Sequence, residues 1–361
     1  MGRVWRGVVT RGTLEAMRAL APALGLVLIA CGPDFPPVIW SGDHLEYATD
    51  REDTLCEGTF TLQDRFIAQL AEFVGITLSE PIRFVYVDPS RVGDFCPYVP
   101  ADGCARDDAV ISVTSLSRHE LAHAVTLAAG WLGPQSFVEG VAEMFSDGFD
   151  LDSARAPLAE VLDDFQITDA HYFTMGLFVR FLVERHGFDP LVAFMRDTEY
   201  KATRASYEAT FAARFGEPLS EAMAAFAGYP TCPEWSNRIA LVECGLPLTE
   251  WVDGVLDISA DVACTSPDVI GPVGTEPMQI AGFAAFEVTT EAKFSLHVMS
   301  EIDGFSGVRV TRCGSCWDEI DMNIVAGETD TAVLPVGRYY AAFVTHAEEA
   351  GTIRLVVEET P

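Results

Sequence analysis

The chain contains 361 residues and carries a formal net charge of −31 at pH 7, because 54 acidic residues outnumber 23 basic ones. This length is enough for two domains with a sizeable buried core. Such an acidic surface repels nucleic acids and anionic membranes, so the composition excludes DNA binding, RNA binding and docking through basic patches. We interpret the acidity as a solubility feature, with an acidic recognition surface as the alternative.

Residues 1–32 have the pattern of a targeting segment. Four arginines are followed by an apolar run at residues 19–30, which is too short to span a bilayer. The run ends in Leu-Ile-Ala-Cys-Gly (residues 28–32), which resembles the lipobox of bacterial lipoproteins. The resemblance implies a signal peptide at residues 1–30, a lipidated Cys31 and a proline-rich tether at residues 31–42. The alternative is an ordinary secretory signal with an incidental cysteine.

We therefore expect an exported protein, anchored by its lipid to the bacterial cell envelope at the outer membrane or cell surface, with no other membrane contact. Nine cysteines agree with export, because the eight besides Cys31 are an even number, as in a disulfide framework. Eight cysteines allow 105 connectivities. The local pairs Cys96–Cys104 and Cys232–Cys244 are favoured, and Cys313 and Cys316 are interpreted as structural rather than redox-active or metal-binding.

The N-terminal half of the chain mixes strand and helix patterns. Taken in chain order, hydrophobic periodicity predicts a strand at 44–49, a helix at 59–74, a strand at 82–87, a cross-linked loop at 96–108 and a strand at 109–113. Helices then follow at 117–129, 136–145 and 171–185, with two more between residues 190 and 227.

After Cys244 the pattern changes to short alternating runs separated by turn residues, which indicates an all-β sandwich at residues 246–361. The predicted strands are 282–288, 294–299, 308–313, 324–325, 339–344 and 353–357. Residues 334–340 (Leu-Pro-Val-Gly-Arg-Tyr-Tyr) resemble a turn of bacterial pre-peptidase C-terminal domains.

The sequence His-Glu-Leu-Ala-His at residues 119–123 predicts a zinc site. Residues four apart lie on one face of a helix, so His119 and His123 can offer imidazole nitrogens to one ion. Glu120 is rotated away from that pair and can act as general base on a zinc-bound water, whose pKa is lowered to about 7.

A third ligand is expected from the next helix, where Glu139 opens a Glu-Gly-Val-Ala stretch. Here the chain resembles the gluzincin superfamily of zinc metallopeptidases, in which a glutamate on the following helix completes the ligand set. Gly140 would permit close approach of helix backbones. By the same resemblance, Glu143 accepts a hydrogen bond from a ligand histidine.

The resemblance also implies a side chain that donates to the oxyanion of peptide hydrolysis. Residues 172–178 resemble the start of the gluzincin helix that carries it, so we expect Tyr172 in this role, with His171 as the alternative and a purely structural tyrosine as the competing interpretation. The strand at 109–113 could pair with an extended substrate. The remaining histidines are interpreted as structural or surface residues: His44, His186, His297 and His346.

Simpler explanations exist for two of the glutamates. Ser117 with Glu120, and Ser136 with Glu139, both fit a capping box at a helix start. Capping explains each glutamate alone, but neither the two stacked histidines nor Glu143.

Taken together, the sequence predicts an α+β, gluzincin-like metallopeptidase domain at residues 43–245 that hydrolyses protein or peptide substrates with Zn²⁺. Two alternatives stay open: a catalytically inactive, protease-like surface binding protein, and a zinc amidase acting on cell-wall peptides.

Overall fold

The computed structural model describes residues 34–96, 102–106, 109–146, 155–166, 168–230, 239–273, 278–314 and 320–360. The predicted signal peptide and Cys31 lie outside these residues. Phe35–Pro361 form one compact unit, so the predicted domain boundary at residue 245 stays a prediction.

A five-stranded sheet forms the N-terminal part of this unit, in the order β1-β2-β3-β5-β4. Its strands are β1 (Val38–Ser41), β2 (Leu45–Thr49), β3 (Ile82–Tyr86), β4 (Gly103–Ala105) and β5 (Val110–Ser112). The central strands β2, β3 and β5 are parallel, and the edge strands β1 and β4 are antiparallel to their neighbours.

Helix α1 (Glu57–Val74) makes the crossover from β2 to β3 that a parallel pair requires. Its apolar face, which includes Phe66, Ile67 and Leu70, is fully buried. The helix ends at Gly75, whose φ of 73° is the left-handed conformation that glycine adopts readily.

Helices dominate the middle of the chain. They are α2 (Val92–Phe95), α3 (Arg118–Ala128), α4 (Gln135–Met144), α5 (Leu158–Asp163), α6 (Asp169–His186), α7 (Phe188–Asp197), α8 (Arg204–Phe215), α9 (Leu219–Phe226) and α10 (Leu241–Gly245). Three helices, α7 to α9, occupy the stretch for which the sequence predicted two. The extra break follows α7, where Thr198 takes an extended conformation.

The C-terminal region is β-rich. Its strands are β6 (Leu248–Thr249), β7 (Val255–Val262), β8 (Ile270–Val273), β9 (Gln279–Val288), β10 (Ala292–Ser300), β11 (Ser306–Arg312), β12 (Asp321–Val325), β13 (Thr329–Leu334), β14 (Gly337–His346) and β15 (Gly351–Glu359). They form a sheet β13-β10-β15-β7 and a sheet β12-β11-β14-β9-β6, with β8 also paired to β9. Inward residues of both sheets, such as Leu296, Phe343 and Leu355, share one buried apolar core. The chain is thus a mixed α+β protein with a β-rich C-terminal region.

Three disulfides join the described cysteines: Cys56–Cys264, Cys96–Cys104 and Cys244–Cys313. The predicted pair Cys96–Cys104 is confirmed. The predicted pair Cys232–Cys244 is wrong, because Cys244 bonds to Cys313, which the fold brings next to it from the second sheet. Cys232 and Cys316 lie outside the described residues.

These disulfides indicate an oxidising, extracellular environment. Within the described ranges, none of the helices is both long enough and apolar enough to cross a membrane.

Candidate metal centre

Helix α3 stacks His119 and His123 one turn apart. The helix starts at Ser117, whose hydroxyl accepts the backbone N–H of Glu120 at 3.4 Å. The two imidazole rings meet edge to face with their centroids 4.7 Å apart, and their Nε2 atoms are separated by 3.1 Å. Both rings are partly buried.

Helix α4 brings Glu139 to the same point. Its Oε2 lies 3.1 Å from Nε2 of His123 and 3.4 Å from Nε2 of His119. Ser136 lies inside α4, which begins after Pro134, so the capping-box explanation for Glu139 does not apply.

The three atoms have the spacing of ligands around one ion. Atoms at 2.0–2.1 Å from the centre of a tetrahedron lie about 3.3 Å apart, and the observed separations are 3.1, 3.1 and 3.4 Å. Two imidazoles and a carboxylate are a ligand set that divalent transition metals accept. His119, His123 and Glu139 could therefore hold a metal ion, and they are the one such group found among the described residues.

Glu143 supports this arrangement from behind His119. Its Oε2 lies 3.3 Å from Nδ1 of His119, and the hydroxyl of Ser146 donates to its Oε1 at 3.1 Å. When His119 is neutral, a proton on Nδ1 that points at this buried carboxylate leaves the lone pair of Nε2 facing Glu139 and His123.

The charges of the cluster shift two pKa values. Burial alone would lower the pKa of His119, but the carboxylates of Glu139 and Glu143 accept its hydrogen bonds and raise that pKa to about 10. Burial would raise the pKa of Glu139, but the charges of His123 and His119 hold it well below its usual value. In the metal-free protein, a proton on His119 therefore balances the carboxylates at neutral pH.

Glu120 lies on another side of α3, against edge strand β4. A Cβ atom added to Gly103 would come within 3.1 Å of Cγ and 3.2 Å of Oε1 of Glu120, and within 2.6 Å of the carbonyl oxygen of Ile111. The contact with the Ile111 carbonyl oxygen excludes a side chain at position 103, so β4 runs close to Glu120 with only hydrogen on its Cα. Gly103 was not predicted as a site residue, because nothing local distinguishes it from a turn glycine.

Tyr172, at the start of α6, lies beside the ligands. Its ring centroid is 5.6 Å from that of His119. Burial and the negative charges of Glu139 and Glu120 raise the pKa of Tyr172 far above its usual value, so the phenol keeps its proton. His171 instead has its Nδ1 occupied by the backbone N–H of Gln166 at 2.9 Å.

A second tyrosine, Tyr200, lies close enough to the centre for the charge of Glu139 to affect it. Its backbone carbonyl accepts the N–H of Gln135 at the start of α4, and burial together with the charge of Glu139 raises its pKa. Tyr200 was not predicted, and no motif in the segment between α7 and α8 indicates it.

Gly140 explains why α4 and α6 lie so close together. A Cβ atom at this position would come within 2.8 Å of the Met175 carbonyl oxygen and of the Val179 side chain. The close backbone approach that was predicted at Gly140 is therefore between α4 and α6. It brings Tyr172 and Glu139, which are carried by these two helices, to one site.

Comparisons with known proteins assign the chain to no family. No protein-family model matches it, and neither does any curated protein. Among solved structures, it is similar to the pre-peptidase C-terminal domain of a collagenase from Bacillus anthracis, at 14% identity over 28% of this chain and 87% of that one, with a TM-score of 0.20. A mitogen from Yersinia pseudotuberculosis matches at 7% identity over 30% of this chain and 88% of the mitogen, with a TM-score of 0.21. Both similarities are weak.

Proposed function

We propose that this protein is a zinc-dependent, gluzincin-like peptidase. The observation that carries the proposal is the convergence of Nε2 of His119, Nε2 of His123 and Oε2 of Glu139 at the spacing of a tetrahedral ligand set. Glu120 follows directly on the first ligand, as in the His-Glu-x-x-His motif. We also propose that the metal is zinc, that Glu120 is the general base and that Tyr172 donates a hydrogen bond to the substrate.

The ligand set suits zinc, because imidazole and carboxylate leave it a net positive charge and one open position. When bound, zinc would act as a Lewis acid on the substrate carbonyl and lower the pKa of a water molecule to about 7. Glu143 would keep His119 in the tautomer that presents Nε2 to the centre.

Two further side chains would move or hold protons during the reaction. Glu120 would take a proton from the attacking water and deliver it to the leaving amine nitrogen. The protonated hydroxyl of Tyr172 would donate a hydrogen bond to the carbonyl oxygen as negative charge develops on it.

An extended substrate would pair with β4 rather than with β5. The expectation that residues 109–113 pair with substrate does not fit the sheet, because β5 already has β3 on one side and β4 on the other. In the described part of the chain β4 is the last strand on that side, and its Gly103 faces Glu120. Strand addition at β4 would therefore place the substrate backbone next to the general base.

The same proposal includes export and anchoring. The three disulfides favour an extracytoplasmic location, and the lipobox-like residues 28–32 support lipidation of Cys31. Mass spectrometry of the mature N-terminus tests the anchor, because an unmodified Cys31 would contradict it.

The test of function compares wild type with Glu120→Gln. We expect both proteins to bind one equivalent of zinc, and we expect the variant to lose peptide hydrolysis by about 10²–10⁴-fold, the usual contribution of a general base. A peptide library and peptidoglycan fragments serve as substrates. Zinc without cleavage of either would favour a binding protein, cleavage of peptidoglycan alone would favour an amidase, and an active variant would refute the mechanism.

A further inference from the structure

We propose that Glu243 of α10 is a positioning residue for the metal-binding helix and acts through Arg118. The inference rests on the proposed metal site, and it concerns how the C-terminal region keeps that site in place. Glu243 is 124 positions beyond His119 in the sequence and is not part of the ligand cluster.

The contact between the two residues is a buried, two-point ion pair. Nη1 and Nη2 of Arg118 donate to the two carboxylate oxygens of Glu243 at 3.1 and 2.5 Å. The side chains are 8% and 6% exposed. A planar guanidinium held at two points and shielded from water has little freedom to rotate or shift.

Arg118 is the first residue of α3 and directly precedes His119. The guanidinium also lies 5.6 Å from the ring centroid of Phe66 in α1. At the same helix start, the hydroxyl of Ser117 accepts the N–H of Glu120 at 3.4 Å, which is long. Of these two contacts, the ion pair is the shorter and more directional restraint on the turn that carries His119.

Charge gives a second reason for the pair. An Arg118 without its carboxylate partner would add a positive charge next to a site that binds a cation. Glu243 balances this charge, so its removal would weaken metal binding even if the helix did not move.

Glu243 is itself fixed by the C-terminal sheet. The next residue, Cys244, is disulfide-bonded to Cys313 after β11, and Arg338 of β14 donates to the carbonyl oxygen of Leu246. The carbonyl oxygen of Gly314, next to Cys313, accepts a hydrogen bond from Arg180 of α6, the helix that carries Tyr172. One crosslink thus connects the C-terminal sheet to both α3 and α6.

The experiment uses Glu243→Gln, which keeps the shape of the side chain and removes its charge. The matched control is Asp321→Asn, which breaks the two-point ion pair between Arg309 and Asp321, far along the chain in β11 and β12. We measure thermal unfolding, zinc affinity by chelator competition, and the visible spectrum of the Co²⁺-substituted proteins.

We expect Glu243→Gln to weaken zinc affinity about tenfold, the lower end of the effect of residues that orient metal ligands, and to change the Co²⁺ spectrum of the folded protein. Asp321→Asn should leave both readouts at the wild-type value. If Glu243→Gln binds zinc within twofold of wild type with an unchanged spectrum, the inference is overturned, even when the variant unfolds at lower temperature. If wild type itself binds no metal, the proposed function fails instead.

A second variant covers the case in which Glu243→Gln does not fold. The double variant Arg118→Gln/Glu243→Gln removes both charges of the pair, and neither new side chain is longer than the one that it replaces. We expect weaker zinc binding in this variant than in wild type. Wild-type affinity in it would also overturn the inference.

Discussion

Arg118 and His119 are neighbours in the chain, yet they belong to two different kinds of buried polar cluster. Arg118 and Glu243 form a pair of one cation and one carboxylate, joined by two hydrogen bonds. His119 faces two carboxylates and a second imidazole, and three of the electron-pair donors lie within 3.4 Å of one another.

The two clusters differ in what they need. In the Arg118–Glu243 pair, opposite charges meet directly, so the carboxylate needs no added cation. The cluster around His119 has donor atoms that would repel one another without a cation, and a proton or a metal ion can be that cation. The Arg118–Glu243 pair should therefore stabilise the fold under all conditions. The cluster around His119 should stabilise it only when a proton or a metal ion is bound.

Breaking the Arg118–Glu243 pair should change the free energy of unfolding more than any other substitution proposed. Glu243→Ala leaves a buried guanidinium without its carboxylate, so we expect the free energy of unfolding to fall by about 3–5 kcal/mol in urea titrations. The double variant Arg118→Met/Glu243→Leu removes both charges and should recover most of that loss. A loss below about 1 kcal/mol in the single variant would contradict the description of a buried pair.

Removal of a ligand should affect metal binding. If three ligands share an apparent binding free energy of about 10 kcal/mol, His123→Ala loses about 3 kcal/mol, which is roughly a hundredfold in zinc affinity. The metal content after dialysis measures this loss, with His297→Ala as control because His297 lies outside the cluster and contacts Glu328 and Thr329. Stoichiometric zinc in His123→Ala would refute the ligand set.

The carboxylate behind His119 should have a smaller effect. Glu143→Gln keeps the three ligands but weakens the hold on Nδ1 of His119, so we expect zinc affinity to fall by about 10–100-fold. Ser146→Ala removes only the hydroxyl that donates to Glu143 and should lower affinity less. Equal affinity in Glu143→Gln and wild type would show that Glu143 does not orient the ligand.

The weakest of these effects is a dependence of stability on pH. It distinguishes a proton on His119 from a bound metal ion as the charge that balances the carboxylates. The pKa of His119 is raised to about 10 in the metal-free fold, against about 6.5 in an unfolded chain. This contact therefore stabilises the metal-free protein fully below pH 6.5 and loses that effect as the pH rises towards 10.

Zinc binding has the opposite dependence on pH, because the metal must displace that proton. We expect the rise in Tm caused by added zinc to be larger at pH 8.5 than at pH 6.5. An equal or smaller rise at pH 8.5 would contradict the assignment of the proton to His119.

The ligand cluster could be predicted because its geometry is local. His119 and His123 are one helical turn apart, Glu139 lies on the next helix, and Glu143 follows it by one more turn. Helical periodicity is the same in every protein, so spacing alone predicts that the two histidines share a face, whereas the roles of Glu139 and Glu143 were expected from the resemblance to gluzincins. The disulfide Cys96–Cys104 could be favoured for the same reason.

The supporting contacts could not be predicted because they join distant segments. Arg118 and Glu243 are 125 residues apart, and Cys56 and Cys264 are separated by 208. Nothing in the local sequence of either partner specifies the other. Tyr200 was missed for this reason, since it is related to the site only through Glu139, which lies 61 residues earlier in the chain.

Strand prediction in the C-terminal region was incomplete, because β7 was missed although Leu256, Ile258 and Val262 of its alternating pattern are buried. The six predicted C-terminal strands correspond to β9, β10, β11, β12, β14 and β15. Strand β13 was missed because it is an edge strand, and nearly all of its side chains are exposed, so it has no alternating pattern. Strand β4 is three residues long and lies in a segment predicted to be a loop.

The hydrogen bonds between β8 and the start of α1 affect how the chain folds during synthesis. Gly271 exchanges hydrogen bonds with Cys56 and Thr59 at the beginning of α1, and Pro272 accepts one from Ser115, just before α3. During synthesis, the first half of the protein lacks these partners until about 150 further residues have followed Ser115. Assembly of the half that carries the candidate metal centre should therefore wait for the C-terminal half, and truncation before β8 should yield aggregation-prone material rather than a smaller folded protein.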